Sequence, residues 1–188
     1  LDCILTSPIG DIPSDIYYIG NIESTNEYPP FTKKLEACGI TLIARDEISN
    51  DFMQNVGNTI SKMFSITSDT DLDMQRQVIE SLYKYKTVIP LFHGEDWNIP
   101  YSEENSWDET RSSNSLCDII MEDIPNQVME VIEHILHHVS DVGLHYAMNS
   151  EWGLSSESEL YRVTNDAIIS GDYDISQYSD ISELDVRN

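Results

Sequence analysis

Apolar positions along the 188-residue chain fall into short runs and helical stripes separated by polar breaks. Residues 1–30 scatter Pro, Gly, Ser and Asn among short apolar runs and end on Pro29-Pro30, the pattern of a loop with a short strand or turn at most. GITLIARD, from Gly39 to Asp46, is the first buried-strand pattern, with a β-rich run from Ile40 to Ile43. A helix is expected over DFMQNVGNTISKMF, capped by Ser49 or Asn50, because Phe52, Met53, Val56, Ile60, Met63 and Phe64 recur at helical spacing. LDMQRQVIESLYKYK is a second amphipathic helix. TVIPLF follows as a strand that Pro90, lacking an N–H, assigns to an edge or a bend. Residues 94–115 are polar with Trp97, Tyr101 and Trp107 dispersed through them, and are expected to form a long loop that lines a groove or anchors itself to the core. LCDIIM is the third strand candidate. A final helix is expected from a Ser155 or Ser156 cap, with Leu160, Val163, Ala167 and Ile168 on one face and Gly171 ending it. The Ser-rich acidic tail is expected to dock through Ile175, Tyr178 and Ile181 or to stay partly disordered.

Between these elements lies EVIEHILHHVSDVGLH, which holds four of the five histidines. Asn126 is the expected N-cap of its helix. At about 100° per residue, Val128, Val131, Ile132, Ile135, Val139 and Val142 make the core-facing stripe, and His134, His138, Asp141 and His145 fall within about 60° of one another on its shoulder. His137 lies farther round, with Glu130 and Glu133. Imidazoles at i and i+4 suit joint coordination of zinc, so His134 and His138 are the expected metal ligands. A straight helix places His145 about 16 Å from His134, so His145 joins as third ligand only if the helix ends or bends at Gly143. Asp141 is an alternative ligand or a partner for an imidazole N–H. Two other uses compete: a surface histidine face, and a pH-responsive face whose imidazoles titrate near neutrality.

Composition narrows the function. Ten Lys and Arg against 34 Asp and Glu give a formal net charge of −24. Nucleic-acid binding is excluded, because phosphate affinity comes from clustered cations, and anionic membrane is disfavoured for the same reason. No run approaches the ~18 apolar residues of a membrane span. Such acidity, with Leu1 in place of an initiating Met, accords with a removed secretory leader and an extracellular or secreted protein. The three cysteines have no CxxC spacing; one disulfide with a spare is possible, although Cys117 reads as a buried, inert thiol.

The histidine helix resembles the active-site helix of zincin metallopeptidases, whose HExxH segment supplies two zinc-binding histidines and a glutamate base, followed in the metzincin branch by a glycine turn and a third histidine. His134 and His138 match the helix ligands, Gly143 the turn glycine and His145 the third ligand. The length is that of a single domain over residues 1–188, and the resemblance implies an α+β, zincin-like fold with a core at about 39–170 and a small mixed sheet packed on the metal-binding helix and further helices. It implies a zinc-dependent peptidase that cleaves a peptide or protein substrate with metal-activated water. The chain departs from the family where Ile135 replaces the glutamate after His134. Glu133 is the expected general base, with Glu151, Glu157 and Glu159 as later alternatives; a Glu130/His134 ligand pair is a variant of the inverted motif. The alternative is a non-catalytic acidic extracellular domain whose histidine-rich helix binds a partner or senses pH.

Two weaker patterns are set aside. Asp69, Asp71 and Asp73 with Glu80 imitate an EF-hand, but Met74 stands where the turn glycine is required, so an acidic helix start explains them. GDYD near the C-terminus is explained by a turn. His93 is expected to be a structural or surface residue. No phosphate-binding Gly-rich loop and no GxSxG elbow occurs in the sequence.

Overall fold

The computed structural model describes residues 3–94 and 98–172. Its centre is a mixed five-stranded sheet in the order β1 (Glu23–Ser24), β2 (Lys33–Ala37), β3 (Ile40–Ala44), β4 (Thr87–His93) and β5 (Ile120–Glu122). β1, β2 and β3 are antiparallel neighbours, whereas β3–β4 and β4–β5 are parallel. The protein is therefore α+β with a mixed sheet, the coarse class that was expected.

β2 escaped the sequence reading because KKLEA is short and half polar, yet it completes a hairpin with β3. Cys38 and Gly39 occupy its two-residue turn, both at positive φ (46° and 86°), as a turn matched to strand twist requires. Cys38 tolerates the conformation with its N–H donating to Tyr18 O (3.0 Å). Gly39 has a second reason to lack a side chain: an added Cβ would lie 2.8 Å from Leu82 Cβ and 2.9 Å from Ile79 O.

Alternation in the strands separates two cores. Ile40, Leu42 and Ala44 of β3 and Ile89 and Leu91 of β4 join a large cluster that takes in Met53, Val56 and Ile60 of α1 (Asn50–Met63) and Ile79 and Leu82 of α2 (Leu72–Lys84). Ile43, Val88 and Phe92 belong to a smaller cluster with Phe31, Leu116 and Trp107. Ser49 caps α1 by accepting from Phe52 N, and Asp71 caps α2 by accepting from Met74 N, which accounts for the acidic start that mimicked a calcium loop.

Several expectations need correction. Pro90 lies in β4 between β3 and β5, neither at an edge nor at a bend. Val88 N and Gly94 N donate to Ser115 O and Glu122 O, so alternation turns the position of the missing Pro90 donor to the same side. There the ladder is interrupted between the Thr87–Ser115 bridge and the Leu91–Ile120 pair, and no bond is lost. LCDIIM accordingly yields strand only from Ile120 to Glu122. The expected polar loop contains α3 (Glu104–Ser113), whose Trp107 is buried edge-on to Phe31 while Tyr101 stays 88% exposed. Trp97 lies outside the described residues.

Cys117 is not a free thiol. It is disulfide-bonded to Cys3, opposite it across the Ile4–Leu116 bridge, and Cys38 is the spare. Burial pushes the Cys38 thiol up to about 11, so it remains protonated and inert at neutral pH. The N-terminal segment also contributes buried Ile16 and the Thr6 Oγ1 bond to Tyr85 O (2.9 Å). Ser158, rather than Ser155 or Ser156, caps α7 (Glu159–Ser170), and Gly171 closes it at φ 79° as expected. The expected tail contacts of Ile175, Tyr178 and Ile181 lie outside the described residues, as do Tyr173 and Asp174 of GDYD. Among the described residues no helix is long and apolar enough to cross a membrane.

Gly39→Ala should lower stability by about 2–4 kcal/mol, combining left-handed strain with overpacking against α2. Urea unfolding checks this as a lower midpoint at unchanged slope.

Candidate metal centre

α4 (Gln127–His138) runs without a break into a π-helical stretch, Val139–Leu144, and the short turn α5 (His145–Ala147), and after a bend at Met148 comes α6 (Asn149–Trp152). Asn126 occupies the cap position in the left-handed region but its side chain makes no capping bond. Gln127 serves the entry instead: its Oε1 accepts from Asp123 N (2.8 Å) and its Nε2 donates to Met121 O (2.5 Å).

The helix is rotated from its expected setting. Val128 is 71% exposed, and the buried residues are Val131, Ile135, His138, Asp141, Val142 and Gly143. Their mean direction lies about 40° from that of the expected stripe. That rotation carries His138 off the shoulder into the core and brings His137 from the outer side onto the shoulder beside Glu130 and His134. Sequence reasoning gave His137 too little weight because the six apolar residues alone set the wheel's zero.

His138 is completely buried and both ring nitrogens are engaged. Nδ1 donates to His134 O (2.8 Å), and Nε2 accepts from the N–H groups of Cys117 and Asp118 (3.2 Å each). Burial pushes its pKa down to about 4, so the ring is neutral near pH 7, as those two incoming N–H bonds require. His138 is thus a structural clamp on the Cys117–Asp118 backbone and has no lone pair left for the ion it was expected to share with His134.

The clamp presents Asp118 to the helix. Asp118 Oδ2 lies 2.6 Å from His134 Nδ1 and 2.7 Å from His137 Nδ1, and these atoms form a group close enough to hold one metal ion. Ile119 N donates to the other carboxylate oxygen (2.8 Å). His134 Nε2 lies 3.1 Å from Glu130 Oε2, and Glu130 Oε1 accepts from Met121 N (3.2 Å). Glu130 therefore orients the His134 ring from behind, the outer-carboxylate arrangement typical of metal-bound histidines. His134 Nδ1 is buried and, despite its closeness to Asp118, is not aligned to hydrogen-bond any group. A nitrogen facing an oxygen off the bond direction suits a cation shared between them.

The remaining expected residues stand apart. Gly143 neither ends nor bends the helix; it lets α2 pack closely, since a Cβ there would lie 2.8 Å from Val78 Cγ1. His145 consequently continues along the helix, where its Nδ1 accepts from Leu154 N (3.1 Å) and its ring meets Tyr146 edge-on. Glu133 is exposed on α4, as are Glu151, Glu157 and Glu159 on the later turns. His93 is exposed, 3.9 Å from Glu122. Asp118 carried no helical or motif signal, and only tertiary contact reveals it.

Burial would raise the Asp118 pKa, but the His134 and His137 imidazoles and the Ile119 N–H outweigh it and hold it down to about 2. Burial likewise lowers that of His134, but Asp118 and Glu130 raise it further than burial lowers it. Asp118 contributes stability above about pH 4 that fades only as pH falls toward 2, and His134 contributes fully below about pH 6.5 and fades as pH rises through its folded value. His138 acts oppositely: its contribution is complete above about pH 6.5 and is lost as pH falls toward 4.

No protein family, no curated protein and no solved structure matches the chain.

His138→Ala should cost about 3–5 kcal/mol at pH 7.5, because it removes a core ring and strands two N–H groups; denaturant unfolding measures it. The metal-free protein should lose thermal stability as pH rises above about 6.5, and His134→Ala should flatten that slope. A slope indifferent to the substitution would assign it elsewhere.

Proposed function

We propose that the protein is a metal-binding domain that holds a zinc-class divalent cation between Asp118 of the segment before β5 and His134 and His137 of α4. The single observation carrying this reading is the convergence of Asp118 Oδ2 and the two imidazoles, with His134 Nδ1 buried and without a hydrogen bond. Two neutral nitrogens and one carboxylate are a donor set zinc takes readily, and Glu130 supplies the outer support. The net charge of −24 adds a long-range attraction for any cation. Relative to the ligand set expected from the sequence, His134 is kept, and Asp118 and His137 replace His138 and His145.

A second reading, metal-dependent hydrolysis of a peptide substrate, has one observation in its favour. Glu133 and His137 line the same groove of about 460 Å³, whose other walls include Met129, Ile132 and Leu136. Three protein ligands leave a fourth position for water, whose pKa zinc lowers toward neutrality. An apolar peptide segment fits such a groove, and Glu133 remains the candidate base.

Metal analysis of untagged, oxidised protein should find about one equivalent of zinc. Asp118→Asn with His137→Ala should abolish it, Glu130→Gln should weaken it about 10–100-fold, and His145→Ala should leave it unchanged. Zinc uptake that survives the Asp118/His137 double substitution would refute the assignment. A zinc-loaded protein that cleaves no member of a diverse peptide library, or cleaves equally well as Glu133→Gln, would rule out the hydrolytic reading with Glu133 as base.

A further inference from the structure

On the other side of the His138 clamp lies a second convergence of ligand-type groups. The sulfur atoms of Cys3 and Cys117 and a carboxylate oxygen of Asp141 all lie within 4.8 Å of one another. Three separate elements produce it. The Ile4–Leu116 bridge, with reciprocal 2.8 Å hydrogen bonds, sets Cys3 against Cys117. Asp141 comes from the π-helical stretch, buried to 7% exposure, and its Oδ1 accepts from Ser140 Oγ (3.1 Å). Consecutive residues thus serve different groups, Cys117 this one and Asp118 the other.

Two thiolates and a carboxylate are a complete set of three protein ligands for zinc, with sulfur as the preferred soft donor. We propose that reduction of the Cys3–Cys117 disulfide turns Cys3, Cys117 and Asp141 into a second site for a zinc-class cation, so that disulfide and metal are alternative occupants of one place. The S–S bond breaks when a dithiol gives up two electrons and two protons and becomes a disulfide itself, leaving two protein thiols. The cation then displaces both thiol protons to solvent. The site uses none of the side chains of Asp118, His134 or His137 and does not depend on metal binding there.

Cobalt(II) titration of the full chain in a Cys38→Ser background tests this. A water-soluble phosphine serves as reductant: it takes its oxygen from water, becomes the phosphine oxide and leaves both sulfurs as thiols. The reduced protein should develop an intense near-ultraviolet thiolate-to-cobalt band that the oxidised protein lacks. His134→Ala/His137→Ala should retain the band, which separates failure of the first site from failure of this one. Cys3→Ser should abolish it, and the near-isosteric Asp141→Asn should weaken cobalt binding about tenfold or more. A reduced protein without the band, or a band whose affinity is indifferent to both substitutions, overturns the proposal.

Discussion

The neutral imidazole of His138 is the constraint on which the ligand-bearing part of the molecule depends. Its Nε2 lone pair is the acceptor for two consecutive backbone N–H groups, and its Nδ1–H ties the same ring to the carbonyl one turn back. Protonation would replace that acceptor with a third donor facing two others, which is why burial and hydrogen bonding both demand the neutral form. With the Cys117–Asp118 backbone pinned, Asp118 meets His134 and His137, and Cys117 meets Cys3 and Asp141. One buried ring therefore organises two groups of chemistry-bearing side chains without belonging to either.

The clamp in turn relies on an irregularity in the sheet. In a regular strand the consecutive N–H groups of Cys117 and Asp118 would point to opposite sides, one of them into the β4–β5 ladder, so His138 could not accept both. Pro90 has no donor to offer at that point, and the chain after Ser115 leaves the ladder until Ile120. The interruption frees Cys117 N and Asp118 N to turn toward α4. A proline usually excluded from central strands is accommodated here because its missing bond coincides with a gap that the helix fills.

Electrostatics bind the same region from the outside. The chain carries 24 more formal negative than positive charges, and the Asp118 and Glu130 carboxylates raise the basicity of the His134 imidazole. At the proposed site, proton and metal would compete for the His134 ring: low pH favours an imidazolium paired with Asp118, and higher pH a neutral imidazole. Glu130 serves either state, as an acceptor that fixes the ring from its far nitrogen.

The sequence by itself determined the elements whose periodicity and caps are local. α1 begins at Ser49, one of its two expected caps, α2 begins on the expected acidic start, α7 ends at Gly171, and β3 spans the apolar run after Gly39, because capping bonds and side-chain alternation are settled within a few residues. It also marked the histidine helix as an element. What tertiary structure decided was which face of that helix is inside, since a histidine with two N–H donors waiting for it is as buriable as a valine, and no pattern along the chain announces the donors. That about 40° rotation exchanged His138 for His137 and left Gly143 a packing glycine rather than a turn. Asp118 and the Cys3–Cys117 pair were likewise illegible, because their partners lie 16 to 114 residues away and meet them only where the sheet is interrupted.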